Sequence, residues 1–227
     1  MANNPFQGSA VQRPAESIFA QNKVLRNTYA LLSMTLIFSG LMAVIAMAMN
    51  VSPGIGMAAT IAGFISLFVV MALRNSPWGL LMVFVFTGLW GFGLGPMLSM
   101  YIAAYANGGQ LIMTALGGTG VIFLGLSAYV LTTKKNFNFM GGMLFSGVIA
   151  ILIASIIGIF VQAPMLQIII SAAVMLVFSG FILFDTSRII HGGETNYIMA
   201  TVSLFINIVN IFLALLRLLA AFSGNRN

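Results

Sequence analysis

Residues 197–217 read YIMATVSLFINIVNIFLALLR, and the pattern inside this run decides how the rest of the chain is arranged. The run is long enough to cross a bilayer core, which takes about 20 apolar residues in a helix. Its polar members are not scattered. Ser203, Asn207, Asn210, Ala214 and Arg217 recur at spacings of four, three, four and three. On a helix turning 100° per residue, those positions fall within an arc of about 80°. Most of the remaining surface is Leu, Ile, Val and Phe. A polar stripe on such a helix must face protein or water, because unsatisfied amides are costly in hydrocarbon. This segment is therefore expected in the interior of a bundle, with other segments wrapped around it. Asn207, ten residues past Tyr197, lies about 15 Å along the axis, near the middle of the membrane.

Composition agrees with a membrane-spanning bundle. The chain is 60% hydrophobic and 5% charged, with a mean hydropathy of +1.08, whereas a soluble domain carries about 25% charged residues. The expected fold class is all-α: a polytopic membrane protein with the lipid bilayer as its surroundings. A β-barrel is excluded because its strands alternate in hydrophobicity, and these runs are apolar on every face. Apolar runs between polar breaks give seven expected spans: 28–49, 55–73, 78–98, 110–132, 140–160, 165–190 and 197–221. The breaks include Asn50-Val51-Ser52-Pro53-Gly54, Arg74-Asn75-Ser76-Pro77, Asn107-Gly108-Gly109 and Lys134-Lys135-Asn136. All five tyrosines fall near segment ends, where interfacial aromatics belong. The transmembrane domain is thus 28–221. Residues 1–27 form a largely disordered tail before it, and 222–227 a short tail after it. Ala46-Met47-Ala48 resembles a signal-cleavage motif, but the long preceding tail and long apolar run favour a retained span.

The charge is distributed by side of the membrane. Arg13, Lys23, Arg26, Arg74, Lys134, Lys135 and Arg188 share the side of the N-terminus, and only Arg217 and Arg226 belong to the other. The excess of basic residues places the N-terminus in the cytoplasm and the C-terminus outside it. The net charge of +6 forms no basic stripe, so a nucleic-acid partner is not expected. The chain contains no cysteine, which excludes disulfides and thiolate metal sites.

Two glycine-rich pieces carry no chemistry of their own. Gly91-Phe92-Gly93-Leu94-Gly95-Pro96 lacks the strand before and the helix after that a nucleotide fingerprint requires. It is read as close helix packing, with Pro96 bending or ending the third span. Gly117, Gly118 and Gly120 are read as packing positions too.

Chemistry concentrates in Asp185-Thr186-Ser187-Arg188-Ile189-Ile190-His191-Gly192-Gly193-Glu194. This stretch holds the sole histidine and two of the three acidic residues. Ile189 and Ile190 carry the helix past Asp185, which sets its carboxylate one or two turns inside the membrane boundary. A charge at the bilayer centre costs roughly 2.5–3.5 kcal/mol, less near an edge, so Asp185 needs a partner or water. Arg188, three residues on, is the same-helix alternative. Asn207 and Asn210 are either interhelical hydrogen-bond donors or the wall of a polar pathway, with Ser203 beside them. Arg217 is expected to snorkel to the interface. His191 and Glu194 are expected in a turn, with Thr195 or Asn196 capping the last helix and Glu194 near its positive end. An enzyme is not expected. One intramembrane acid is too few for an aspartyl protease, and a serine hydrolase would need His191 deep beside a serine, whereas His191 is expected in a turn.

Several strings resemble the Bax inhibitor-1 (transmembrane Bax inhibitor motif) family. They are Phe184-Asp185-Thr186, Gly192-Gly193-Glu194-Thr195-Asn196-Tyr197-Ile198 and Leu204-Phe205-Ile206-Asn207-Ile208-Val209-Asn210-Ile211-Phe212. Asn22-Lys23-Val24-Leu25-Arg26-Asn27-Thr28-Tyr29 and Ala128-Tyr129-Val130-Leu131-Thr132-Thr133 are similar to its bacterial YccA branch. The resemblance implies six helices around the seventh in the bacterial inner membrane. It also implies two activities. YccA-type members associate with the FtsH membrane protease as modulators and slow substrates gripped by an N-terminal tail; a 22-residue tail would reach about 70–80 Å when extended. Other members are cation leaks, for Ca²⁺ or H⁺, gated by a pair of carboxylates. Carried over by motif, that pair falls on Asp185 and Asn207, so one member is an amide. Two carboxylates would share a proton and titrate in coupled steps; the Asp–Asn pair loses that coupling. The same two residues are the candidate Ca²⁺ position, the ion being transported cargo and no resident cofactor being expected. Arg74 is the nearest counterpart of the family's helix-two arginine, but no motif supports the transfer.

Overall fold

The computed structural model describes residues 15–161 and 163–224. Seven helices follow one another: α1 (Ala15–Ala48), α2 (Pro53–Leu73), α3 (Pro77–Ala104), α4 (Gly108–Thr133), α5 (Gly141–Val161, preceded by a 3₁₀ turn at Asn138–Met140), α6 (Pro164–Ile190) and α7 (Tyr197–Ser223). Each contains a stretch long and apolar enough to cross a membrane. Among the described residues there is no strand. Three helices begin at a proline, Pro53, Pro77 and Pro164, where the missing N–H would have been unpaired anyway and φ is already helical.

The last helix is the interior one. In its most apolar window 67% of residues are buried inside the protein, against 11–39% for the other six. It packs against α6, α4, α1 and, more lightly, α3. The expectation of six helices around the seventh is corrected in detail: the extensive contacts of α2 are with α3, and those of α5 are with α6. These two are outer helices, as their apolarity on all faces allows, since neither carries a polar stripe that must be hidden. The bundle has two ends. The one where α1 and α7 begin is called here the N-face, and the one where α7 ends the C-face.

Three boundaries differ from expectation. The tail was drawn through residue 27, but α1 starts at Ala15; residues 1–14 lie outside the described residues. Residues 15–39 contain neither glycine nor proline, so nothing local stops the helix from running back past the membrane edge. Second, Pro96 does not end α3, which continues to Ala104. Membrane helices tolerate an internal proline where neighbours pack over the interrupted turn, and a Cβ on Gly56 of α2 would press on the Pro96 ring. Third, the described part of the C-terminal helix runs to Ser223, past the expected 221.

The glycine readings divide. A side chain on Gly91 would run into the Ser39 carbonyl of α1, and one on Gly95 into Ala46, so this glycine row does set the close α1–α3 approach. Gly117 and Gly120 have nothing within 4 Å of an added Cβ, and their assignment as packing positions is withdrawn. Gly117 is exposed, and Gly120 lines an open cavity between α1 and α4.

Gly91→Ala is therefore expected to destabilise the protein by about 1–3 kcal/mol, the usual cost of forcing atoms into a filled contact. Gly117→Ala should leave stability unchanged or raise it slightly through helix propensity. Thermal unfolding of both variants in the same detergent separates the two effects.

Candidate functional site

Asp185 lies on α6, five residues before the helix ends at Ile190, and is 7% exposed. Its Oδ2 accepts a hydrogen bond from Ser203 Oγ at 2.5 Å and another from Asn207 Nδ2 at 2.7 Å. Ser203 and Asn207 are four residues apart on α7, so they stand one above the other on one face. The helix supplies two donors at the spacing a single carboxylate oxygen can use. Asn207 is itself 3% exposed. Charge-assisted hydrogen bonds are roughly twice as strong as neutral ones, and in a low-dielectric interior their loss is costly.

The other candidates are placed elsewhere. Arg188 does not pair with Asp185. Its Nη2 donates to the Gly193 carbonyl at 2.9 Å and lies 3.7 Å from Glu194 Oε2, while its guanidinium covers the Phe184 ring at 5.6 Å. The side chain turns outward because at the helix end water and the loop offer partners, whereas pairing inward would bury a second charge. Asn210 does not reach Asp185; its Nδ2 donates to the Ile206 carbonyl of its own helix at 2.9 Å. His191 is an exposed cap residue of α6, with Nδ1 2.8 Å from the Ser187 carbonyl. Glu194 Oε1 accepts from the Asn196 N–H at 2.9 Å. Arg217 is exposed toward the C-face, as a snorkelling residue should be.

Two structural ties have no sequence signal. Asn196 caps α7 through Oδ1, accepting from the Ile198 and Met199 N–H groups at 3.0 and 3.1 Å. Its Nδ2 simultaneously donates to the Arg74 carbonyl and to Asn75 Oδ1, both at 2.9 Å. The cap was legible in the sequence; the bond to the α2–α3 loop, more than a hundred residues away, was not. Likewise Ser187, buried on α6, accepts from the Phe137 N–H at 2.9 Å and so anchors the α4–α5 loop. Both ties lie at the N-face, close in sequence to Asp185 and to the start of α7.

The donor set also bears on Ca²⁺. Asp185, Asn207 and Ser203 offer side-chain oxygens from three residues with one carboxylate among them, where a resident Ca²⁺ takes six to eight oxygens. The cluster alone falls short of the ligand set of a resident Ca²⁺. A cavity of about 650 Å³ lies elsewhere: it opens between α1 and α4, with Phe205, Ile208 and Phe212 of α7 at its back, and neither Asp185 nor Asn207 lines it.

Seven apolar helices enclosing one buried carboxylate at the α6–α7 contact define a polytopic membrane protein built around its last span. A family model described as "Inhibitor of apoptosis-promoting Bax1" matches residues 21–224, and the chain belongs to this family, the Bax inhibitor-1 family. Relatives cover nearly its whole length. It is 50% identical over 218 residues to an uncharacterized membrane protein of Vibrio cholerae, covering 96% of each chain. It is 48% identical over 204 residues to the protein of Escherichia coli strain K12 named "Modulator of FtsH protease YccA", covering 89% of this chain and 92% of that one. A second Escherichia coli relative, equally similar, is named "Inner membrane protein YccA".

The Asp185 cluster should behave as a coupled unit. Asn207→Leu is expected to destabilise by about 1–3 kcal/mol, because it removes one of two donors from a buried acceptor. Combined with Asp185→Leu, the loss should fall short of the sum of the singles by about 0.5–3 kcal/mol. A double-mutant cycle of unfolding in mixed micelles measures that coupling; additive losses would mean that the two side chains do not interact.

Proposed function

We propose that this protein is a non-enzymatic regulator of membrane proteolysis, which binds and modulates an FtsH-type protease in the bacterial inner membrane. The observation that carries this reading is the 48% identity, over 89% of the chain, to a relative named as a modulator of that protease. The charge distribution supports the orientation the reading needs. Lys23, Arg26, Arg74, Lys134, Lys135 and Arg188 lie at the N-face, while Arg217 is the one described cation toward the C-face. The positive-inside rule then turns the N-face to the cytoplasm. In that orientation the residues ahead of α1 belong to the cytoplasmic side and serve as the segment a cytoplasmic ATPase grips.

Deletion of residues 2–14 is expected to lengthen the half-life of the protein severalfold in cells while leaving its membrane insertion intact. Full-length protein at native abundance should co-purify with the protease. An unchanged half-life after the deletion contradicts the grip, and absence of co-purification contradicts the partner.

A second reading, a cation leak for Ca²⁺ or H⁺, is favoured by the cluster itself. Asp185, Asn207 and Ser203 present the polar surface inside the bundle, with Asn210 one turn further along the same seam. Thr28, Tyr29, Ser127 and Thr186 each bury a hydroxyl with no partner among the described residues, and buried polar atoms are ordinarily satisfied by protein groups or ordered water. In reconstituted vesicles, Asp185→Asn should reduce cation flux severalfold. Asn207→Asp should sharpen its pH dependence, since two adjacent carboxylates titrate in coupled steps. Flux indifferent to both substitutions removes this reading.

A further inference from the structure

A second cavity, more polar than the first, opens at the other end of α7. It has a volume of about 460 Å³ and is walled by the end of α3, the first turns of α6 and the last turns of α7; Arg217, Tyr101, Tyr105, Gln167 and Ser171 line it. We infer that this cavity binds a phosphate-bearing anion at the membrane interface, with Arg217 as the charge partner: a phosphodiester headgroup or free phosphate.

The argument begins with charge. The three acidic residues of the chain are Glu16, Asp185 and Glu194. Asp185 and Glu194 belong to the N-face end of α6 and the loop after it, and Glu16 sits in the first turn of α1, which starts at that same face. Thr201 Oγ1, near the start of α7, lies 3.3 Å from the Thr28 carbonyl, so the residues of α1 before Thr28 extend toward the face where α7 begins. Arg217, six residues from the end of α7, lies at the opposite end of that helix from Asp185 and Glu194. Its guanidinium makes no hydrogen bond or ion pair with any described residue. An arginine is never neutral in a protein, and its five N–H donors form a planar fork suited to two oxygens of one phosphate.

The walls complete the chemistry. Tyr101 and Tyr105 stack at the C-terminal end of α3, with ring centroids 5.9 Å apart and planes 16° from parallel, and both line the cavity. Gln167, from the second turn of α6, is a further polar lining residue. Pro164, Gln167 and Ile168 are also lining residues, so the cavity abuts the N-terminus of a 27-residue helix that has no side-chain cap. The partial positive charge of that helix end favours an anion. Ala220 and Ala221 leave the floor open. Depth in the membrane selects the ligand class, because tyrosines and a terminal arginine mark the headgroup level.

The test uses the full-length protein in nanodiscs of phosphatidylcholine, the same discs doped with phosphatidylglycerol, and plain discs with inorganic phosphate at matched ionic strength. Thermal unfolding and native mass spectrometry of retained lipid are the readouts. Phosphatidylglycerol should be retained over phosphatidylcholine and should raise the unfolding midpoint. Arg217→Gln should lower its affinity about tenfold, as expected for loss of a charge-assisted pair. Arg217→Lys should keep most of it, and Tyr105→Phe should weaken it with the unliganded midpoint unchanged. An Arg217-dependent shift with inorganic phosphate alone assigns the site to a soluble anion; a shift confined to the doped discs assigns it to lipid. If neither ligand stabilises the protein, or if stabilisation is the same in Arg217→Gln and Tyr105→Phe as in the parent chain, the inference is overturned.

Discussion

A carboxylate cannot be left unpartnered inside a membrane, and this protein buries one. The two hydrogen bonds that Asp185 accepts from Ser203 and Asn207 require α6 and α7 to lie side by side in one register. Sliding either helix by a turn would leave the acceptor with at most one of its two donors and strand the other polar side chain without its partner. That constraint fixes the pair, and the pair fixes the bundle. Because α7 carries the polar stripe it must be enclosed, and α1, α3 and α4 supply the rest of the enclosure, with Phe205, Leu204 and Ile211 packed among them.

The polar stripe is not uniform along its length, and this division gives α7 three distinct regions. At the N-face end Asn196 fastens the helix start to the α2–α3 loop. Next come Ser203 and Asn207, committed to Asp185. In the following turn Asn210 bonds its own backbone and stays half-buried, as Ser203 does. The stripe ends at Arg217, whose guanidinium has no hydrogen-bond or ion-pair partner among the described residues. Asp185 and Glu194 thus lie at one end of the central helix and Arg217 at the other. The N-face end carries the loops, the caps and the charges that a cytoplasmic partner would contact.

Much of this architecture was legible in the sequence, for reasons that can be stated. Seven spans follow from run length, and the interior position of the last follows from the spacing of Ser203, Asn207 and Asn210. Asp185 was recognisable as a membrane carboxylate because Ile189 and Ile190 prolong its helix. What escaped was whatever depends on the position of another segment. Arg188 was weighed as the partner of Asp185 because spacing alone cannot tell inward from outward near a helix end. Asn210 shares the stripe with Asn207, but its side chain turned to a backbone carbonyl within reach. Pro96 looked like a terminus because its tolerance rests on neighbours packed across the turn. Gly117 and Gly120 looked like Gly91 and Gly95; composition does not say which face of a helix meets a neighbour. The bond from Asn196 to Arg74 and Asn75 joins two loops whose proximity only the folded chain creates.

The contact between Asp185 and Asn207 can be observed directly, because Asp185 is the sole aspartate in the chain and labelling aspartate carboxyl carbons with ¹³C yields one protein signal. With asparagine side chains carrying ¹⁵N, a dipolar-recoupling solid-state NMR measurement in bilayers reports whether an asparagine amide nitrogen lies within one hydrogen bond of that carbon, roughly 4 Å or less. Strong dephasing in the parent protein that disappears in Asn207→Leu is the expected result. A carboxyl signal that shows no dephasing by asparagine nitrogen, or the same dephasing in both proteins, would contradict the arrangement from which the rest of the fold has been argued.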